Sequence, residues 1–198
     1  MEGPPRAASP VDHGSDALDG DLLASLTRDD PSARRAWSVL VARHAPRMYA
    51  VARSFSVDPQ TAEDLVQTAW LRLLDRADQL RDPQALGAWL CMIVRNEARR
   101  LTTRRREVPA AAPIEHPAGN VDATDARLLR DERAQALRLA FAHLGPECQQ
   151  LLRLVLADPP LSYDEIAAAL GRPRGSLGPT RRRCLERLRD LLPAGFEP

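Results

Sequence analysis

Arginine side chains near the C-terminus are the residues whose type and spacing point most directly to chemistry. A guanidinium group is charged at every physiological pH and donates hydrogen bonds in a planar fork, which matches phosphate oxygens and guanine edges. In the segment RPRGSLGPTRRRCLERLR, such residues alternate with leucines. On a helical wheel, Arg182 and Arg183 lie opposite Leu177 and Leu188. The pattern therefore predicts a helix with one buried face and one face that contacts nucleic acid.

Two short helices joined by a glycine turn are predicted to carry these arginines. The first helix has an apolar face at helical spacing, formed by Tyr163, Ile166, Ala167 and Leu170, and it ends at Gly171 and Pro173. The second is predicted to begin near Ser176, its N-cap, with Pro179 in its first turn. Its buried stripe consists of Leu177, Cys184, Leu188 and Leu191, along which Arg181 is expected to lie. A solvated basic face is the alternative, but the turn residues favour a helix-turn-helix.

A second candidate surface follows from the segment LGAWLCMIVRNEARR. A helix predicted over residues 84–104 buries Leu86, Leu90, Ile93, Val94 and Leu101. Its other side carries Trp89, Met92, Arg95, Asn96, Arg99 and Arg106. A tryptophan can stack on an unpaired base while an amide and arginines bind the base edge and the backbone, as single-stranded DNA requires. A half-buried core position for Trp89 beside a solvated arginine face explains the same pattern, so both interpretations stand.

A third predicted helix lies in the segment DPQTAEDLVQTAWLRLLDRA, with Asp58 as its cap and Pro59 at its first position. Its buried face consists of Ala62, Leu65, Val66, Ala69, Trp70 and Leu73. The opposite face consists of Asp64, Gln67, Thr68, Leu71, Leu74 and Asp75. Leucines grouped with acids and amides on an outward face are typical of a surface that docks a partner. Single exposed leucines are also ordinary in soluble proteins, so this signal is weak by itself.

Composition indicates an all-α fold in two small helical domains. The chain has 198 residues, of which 4% are aromatic, so its core must come mainly from Leu, Ala and Val. Residues 1–17 are predicted to be a disordered leader, 18–106 a first domain, 107–124 a flexible linker, 125–193 a second domain and 194–198 a tail. Pro46 is expected to kink or interrupt a helix of the first domain. The formal charge of +1 conceals arginines crowded into residues 95–106 and 172–189.

Several classes of function find no support in the sequence. Cys91, Cys148 and Cys184 are far apart and are expected to be buried, reduced thiols. The four histidines form no pair at metal-ligand spacing, so no metal, cofactor or catalytic site is predicted. Because a signal peptide and a long apolar run are both missing from the sequence, we expect a cytoplasmic chain without membrane insertion.

Three motifs in order carry a resemblance to a known family: AEDLVQTAWLRLL, LGAWLCMIVRNEARR and LSYDEIAAALGRPRGSLGPTRRRCLERLR. Over about residues 19–192, the chain resembles bacterial RNA polymerase sigma factors of the extracytoplasmic-function (ECF) group of the sigma-70 family. The resemblance implies sigma region 2 before the linker and sigma region 4 after it. It implies as partners core RNA polymerase, through its β′ clamp helices and β flap, promoter DNA and an anti-sigma factor. It also implies a monomer when free, and association with the nucleoid within the holoenzyme.

The resemblance assigns residues to three surfaces. Core-polymerase binding falls to Asp64, Gln67, Thr68, Leu71 and Asp75. Binding of the minus-ten element falls to Arg81, Trp89, Arg95, Asn96, Arg99 and Arg106, and the loop at residues 79–85 helps to capture an unstacked base. Binding of the minus-thirty-five element falls to Arg172, Arg174, Ser176, Thr180, Arg182 and Arg183. The chain departs from the family pattern at Gly178 and Pro179, where many members carry basic or polar residues.

Two other functions compete with a sigma factor at this point. A conventional helix-turn-helix transcriptional regulator would need only the second domain, and it leaves the face of Asp64, Gln67 and Leu71 unexplained. An enzyme built on a helical bundle would need converging carboxylates and histidines, which the sequence lacks. We therefore predict a sigma factor that binds core polymerase, directs it to specific promoters and assists promoter opening by trapping an unstacked base.

Overall fold

The computed structural model describes residues 16–26, 31–76, 80, 82–107, 125–193 and 196. Within these ranges the N-terminal half contains α1 (Asp16–Leu26), α2 (Pro31–Ser54), α3 (Pro59–Arg76) and α4 (Leu86–Glu107). The C-terminal half contains α5 (Asp125–His143), α6 (Pro146–Val155), α7 (Tyr163–Leu170) and α8 (Leu177–Asp190). Short 3-10 turns at Pro83–Ala85 and Arg174–Ser176 precede α4 and α8. The predicted all-α fold is confirmed.

Most of the predicted leader, linker and tail lies outside the described residues. The parts that the structure does describe refine the predicted boundaries. Helix α1 begins at Asp16, inside the predicted leader, and α4 continues to Glu107, the first residue of the predicted linker. Among the described residues, no helix is long and apolar enough to cross a membrane.

Helix α2 runs through Pro46 without a break, so an interruption at this residue is wrong, and the alternative of a kink stays a prediction. Proline removes one backbone donor and clashes with the preceding turn, which costs a helix free energy locally. Here the turns on both sides are held in the core, since Leu40, His44 and Met48 are all buried. Burial of these side chains outweighs the local cost of the proline.

The core of the N-terminal half lies between α2, α3 and α4. Its fully buried members include Leu40, Val51, Leu73, Leu90 and Val94. Trp37 of α2 meets Trp70 of α3 edge to face, with ring centroids 5.2 Å apart, a favoured aromatic geometry. Glu97 of α4 accepts a hydrogen bond from Arg72 of α3 at 2.7 Å, which fixes the relative position of these helices at the surface.

Helices α6, α7 and α8 form the core of the C-terminal half, where Leu151, Ile166 and Leu177 are buried. Two residues predicted to be buried are instead exposed. Leu191 is 44% exposed because it follows the last residue of α8, and Tyr163 is 42% exposed at the start of α7. The buried face of α7 is Glu165, Ile166 and Ala169, because this helix also packs against α4.

The prediction of three reduced thiols is wrong for two of the cysteines. Cys148 of α6 and Cys184 of α8 form a disulfide, with their Cα atoms 5.4 Å apart. They are separated by 36 positions in the sequence, but the packing of α6 on α8 brings them together. Cys91 is buried and free, as predicted. Burial raises the pKa of the Cys91 thiol well above its ordinary value, and the carboxylate of Glu165 adds to the effect.

The two halves of the chain are in contact with each other. Helix α7 packs along α4, and α6 packs against α2. Buried apolar residues of both halves belong to one continuous hydrophobic cluster. The structure therefore shows a closed arrangement, which the sequence pattern of two helical groups and a linker did not predict.

Candidate nucleic-acid interfaces and docking surface

The helix-turn-helix is formed by α7, a glycine turn and α8. A capping box starts α7: the Ser162 hydroxyl accepts a hydrogen bond from the Glu165 backbone N–H at 3.2 Å, and Glu165 accepts one from the Ser162 N–H at 2.7 Å. Gly171 ends α7 with φ +65°, the left-handed conformation that favours glycine. These two devices fix where the turn begins and therefore where α8 points.

The arginines of α8 face outward as predicted. Leu177 and Cys184 are buried, whereas Arg182 and Arg183 are exposed. The Arg182 Nε donates to Glu186 at 2.9 Å, an exposed pair one helical turn apart that DNA can displace at small cost. Arg181 is exposed as well.

The first turn of α8 presents an open surface at Gly178. Apart from the neighbouring residues and the backbone of α8 itself, no atom of the described residues lies within 4 Å of the position that a Cβ atom would occupy there. A shallow cavity in this area is lined by Tyr163, Gly178, Arg181, Arg182, Leu185, Glu186 and Arg189. The departure from the family pattern at Gly178 therefore leaves open space between Tyr163 and Arg182.

Four other residues assigned to the minus-thirty-five element are engaged within the chain. Arg172 pairs with Glu147 at 2.6 Å, and Arg174 pairs with Asp164 at 3.1 Å. Ser176 occupies the N-cap position of α8, as predicted, but its hydroxyl donates to the Pro173 carbonyl at 2.7 Å and makes no side-chain capping bond. The 3-10 turn before α8 gives Ser176 a helical conformation, from which its side chain cannot reach forward.

The hydroxyl of Thr180 donates to the Ser176 carbonyl at 2.7 Å. Its oxygen can still accept a hydrogen bond, but Thr180 is only partly exposed. Arg182 and Arg183 are thus exposed on α8, whereas Arg172 and Arg174 are held in ion pairs with residues outside this helix, and the binding of DNA by all six residues stays a prediction.

The second surface lies on α4. Met92, Asn96 and Arg99 are exposed, and Trp89 is half-buried against the hydrophobic cluster. Trp89 therefore occupies the half-buried position of the second interpretation, and its stacking on a base stays a prediction. Arg81 and the side chain of Arg106 lie outside the described residues.

Arg95 lies between the two predicted DNA surfaces. One of its nitrogens donates to the side chain of Asn96 at 3.1 Å. Its guanidinium group covers Gly171, so closely that a Cβ atom at that position would overlap it. Burial, together with the charge of Arg99, lowers the pKa of the Arg95 guanidinium. Arg95 is consequently turned toward the helix-turn-helix in this structure.

The third surface is the outer face of α3. Leu71 is 56% exposed and Leu74 is 58% exposed, and Asp64, Gln67 and Asp75 are exposed beside them. Thr68 is half-buried, and its hydroxyl donates to the Asp64 carbonyl. On the opposite side of the same helix, Leu65, Ala69 and Leu73 are buried. The predicted division of α3 into a buried face and an exposed face is confirmed, and docking on the exposed face stays a prediction.

Two buried charged residues were not identified from the sequence. Glu165 lies between the two halves of the chain. Its place near the start of α7 could have been predicted, because Ser162 and Glu165 have the spacing of a capping box. Asp19 of α1 is buried and pairs with His44 and Arg43 of α2. That pairing joins Asp19 to His44, 25 positions later in the sequence, and no local pattern signals it.

Comparisons with known proteins agree with this geometry. The family model for sigma-70 region 2 matches residues 40–108. The chain is 33% identical over 187 residues to the ECF RNA polymerase sigma factor SigE of Mycolicibacterium smegmatis, a match covering 90% of this chain and 69% of that protein. It is 30% identical over 154 residues to the ECF RNA polymerase sigma factor EcfG of Rhodopseudomonas palustris, covering 74% of this chain and 80% of that protein.

Two solved structures share the fold. One is CnrH in complex with the cytosolic domain of CnrY, with a TM-score of 0.57, 25% identity, and coverage of 90% of this chain and 99% of that one. The other is the sigma factor RpoE in complex with the anti-sigma factor NepR from Bartonella quintana, with a TM-score of 0.55, 26% identity, and coverage of 81% and 98%. Fold and sequence together define a transcription initiation factor of the sigma-70 type. The chain belongs to the ECF RNA polymerase sigma factors.

Proposed function

We propose that this sigma factor divides promoter recognition among three surfaces. The outer face of α3 binds core RNA polymerase, the exposed face of α4 binds the minus-ten element, and α8 reads the minus-thirty-five element. The observation that carries the proposal is the exposed pair Leu71 and Leu74 on a helix whose other face is fully buried. Such a face is expected of a protein that must dock on a large partner, and a regulator acting through its helix-turn-helix alone has no use for it.

The two DNA-binding surfaces act together because one polymerase holds both. Each surface alone is small, but once the first element is bound, binding of the second becomes intramolecular and its effective concentration rises. Arg182 and Arg183 contact the upstream duplex, and Asn96, Arg99 and the accessible edge of Trp89 hold an unstacked base downstream. Unstacking a base costs a few kcal/mol, which its capture can offset, so promoter opening requires no catalytic residue in this chain.

An anti-sigma factor is a further partner that we propose for this chain. RpoE of Bartonella quintana is described in complex with the anti-sigma factor NepR, and CnrH in complex with the cytosolic domain of CnrY. The similarity to both structures, over 90% and 81% of this chain, supports binding of a comparable protein here. We further propose that the chain acts in the cytoplasm, on the nucleoid, as part of the holoenzyme.

Reconstituted transcription with bacterial core RNA polymerase tests the proposal. A template is first selected from a randomised promoter library with the wild-type holoenzyme, and run-off transcripts are then measured with and without this chain. We expect transcripts only when the chain and core polymerase are both present. Tight, specific binding of the same DNA by the chain without polymerase would instead support the conventional regulator.

A further inference from the structure

The disulfide of Cys148 with Cys184 ties α8 to the start of α6. Cys148 is the third residue of α6, and Cys184 lies near the middle of α8, with 5.4 Å between the two Cα atoms. Arg182 and Arg183, the outward arginines of α8, directly precede Cys184 in the chain. The bond therefore holds α8 at the part of the helix that carries the side chains proposed to contact DNA.

The apolar contact that holds α8 is narrow. Leu177 and Cys184 are the buried residues of this helix, and Leu188 is half-buried against the hydrophobic cluster. Leu185 is exposed, as are the arginines on either side of it. Since hydrophobic stabilisation grows with the apolar area that is buried, so narrow a face holds the helix weakly. A covalent bond in the middle of this face consequently contributes much of what fixes the position of α8.

An ion pair beside the disulfide makes a weaker link. Arg172, in the turn between α7 and α8, pairs with Glu147, the residue before Cys148, at 2.6 Å. The two side chains are 36% and 76% exposed, so solvent screens their attraction. If Arg172 binds phosphate as predicted, DNA takes the place of Glu147. The disulfide persists when that ion pair is lost.

The two sulfur atoms of the disulfide differ in accessibility. Cys184 is 1% exposed, whereas Cys148 is half-buried and follows three exposed residues, 145–147. Cys148 also lies in the first turn of α6, where backbone N–H groups stabilise a negative charge such as that of a thiolate. A small oxidant or thiol can therefore reach the sulfur of Cys148, while Cys184 is held in place behind it.

A disulfide in the cytoplasm is seldom permanent. Thiols are kept reduced there, and the disulfides that do occur are usually transient ones with catalytic or sensing roles. The proposed function places this chain in the cytoplasm on core polymerase. The bond is thus expected to form and to break during the life of the protein.

We propose that Cys148 and Cys184 are a site of reversible oxidation, which determines how firmly α8 is held for binding of the minus-thirty-five element. The oxidised chain holds α8 in place and binds this element more tightly, and the reduced chain binds it less tightly. The inference rests on the proposed function, since it assumes that α8 reads this element. It adds a response to oxidants that lies within the chain itself.

The proposed oxidant is a peroxide. The Cys148 thiolate attacks one oxygen of hydrogen peroxide, the O–O bond breaks, and the departing hydroxide takes the proton that the thiol has released. The sulfenic acid so formed loses water when the sulfur of Cys184 closes the disulfide. Two thiols and one peroxide thus give one disulfide and two waters. A dithiol reductant reverses the oxidation by attacking the sulfur of Cys148, and is itself oxidised to a disulfide.

Counting thiols in the full-length chain tests the chemistry. The folded protein is treated with hydrogen peroxide or with dithiothreitol, then denatured, alkylated and analysed by mass spectrometry. We expect alkylation of Cys91 alone after peroxide, and of all three cysteines after dithiothreitol. Three alkylated cysteines after peroxide would overturn the proposal. So would a bond that dithiothreitol opens only in urea, because it would then be a permanent structural link.

Binding by the holoenzyme tests the consequence. Core polymerase is assembled with the oxidised or the reduced chain, and its affinity is measured for a duplex that carries only the minus-thirty-five element of the selected promoter. We expect severalfold tighter binding with the oxidised chain, and the same helical content by circular dichroism in both forms. Equal affinity of the two forms for this duplex would overturn the proposal.

Two variants locate the effect. Cys148→Ala removes the bond at its half-buried end and leaves the buried Cys184 in place, so it should behave as the reduced chain under both treatments. Cys91→Ala is the matched control, because Cys91 is a buried cysteine outside the disulfide, and it should keep the response. A response that survives in Cys148→Ala, or that disappears in Cys91→Ala, would contradict the assignment.

Failure of this inference is distinguishable from failure of the proposed function. If both forms of the wild-type chain direct transcription and bind the minus-thirty-five duplex equally well, the oxidation site has no regulatory role and the sigma function stands. If neither form supports transcription with core polymerase, the proposed function itself fails.

Discussion

The Oδ2 atom of Asp19 lies 2.9 Å from the Nε2 atom of His44, and both side chains are buried. Arg43 binds the other carboxylate oxygen. The next residue of α1, Gly20, lies against Pro83, with 3.3 Å between the Pro83 Cβ and the Cβ position of the glycine. The carboxylate of Asp19 thus anchors α1, and α1 in turn supports the turn that leads into α4.

We expect Asp19→Asn to lower the free energy of unfolding by about 1–3 kcal/mol at pH 7. Burial alone would raise the pKa of Asp19, but hydrogen bonds and charges from His44 and Arg43 outweigh it and hold the pKa below 3.8. Because the pKa is lower in the folded state, this stabilisation is complete above the unfolded pKa and is lost as pH falls through the folded pKa. Urea titrations should therefore show a lower free energy of unfolding for Asp19→Asn than for the wild type at pH 7, and this difference should narrow below about pH 4. The exposed Asp21→Asn serves as control, and equal effects of the two variants would contradict the anchoring role.

Leu71→Arg should weaken holoenzyme assembly without unfolding the chain. The side chain is 56% exposed, so the charge meets water in the free protein and is desolvated only when α3 docks. Competition for fluorescently labelled core polymerase measures the loss. Val39→Arg, at a residue of α2 that is 39% exposed, controls for added charge in the same half of the chain. If the Leu71 variant competes as well as wild type, α3 does not provide the docking face.

Replacement of Arg182 and Arg183 by alanine should weaken recognition of the upstream element by holoenzyme. A bidentate contact to a base is worth about 1–3 kcal/mol, and both side chains are exposed on the outer face of α8. Binding to upstream duplexes of varied sequence distinguishes contacts to bases from contacts to phosphates. Loss of a base contact relaxes sequence specificity, whereas loss of a phosphate contact weakens binding to all sequences alike. Arg138→Ala, an exposed arginine of α5, should leave binding unchanged.

Asn96→Ala and Arg99→Ala should reduce opening of the downstream element and spare upstream binding. Both residues are exposed on α4, away from its buried face. Permanganate reactivity of thymines in the minus-ten region reports the opening. Trp89 is better tested as Trp89→Phe, because its half-buried ring also supports the core and truncation to alanine would confound the two roles. Loss of upstream contacts in the Asn96 variant would contradict the division of labour between α4 and α8.

Local patterns in the sequence were sufficient for the helices and for the faces that they expose. Helical periodicity separates Leu65 and Leu73 from Asp64 and Leu71 within α3, and the glycine turn at Gly171 locates the helix-turn-helix. These features depend on residues within a few positions of each other, whose side chains are placed by the 3.6-residue period and by backbone preference. Three motifs in order then indicated the family.

Contacts between distant segments were decided only by the tertiary structure. The disulfide of Cys148 with Cys184 and the pairing of Asp19 with His44 join residues on different helices, for which the sequence contains no periodic signal. The contact of Glu165 with Gly87 is of the same kind. Sequence periodicity shows which side of a helix is apolar, but which helix covers that side depends on the total buried area of the whole chain. For the same reason the sequence predicted two helical halves, and only their packing revealed that they close on each other.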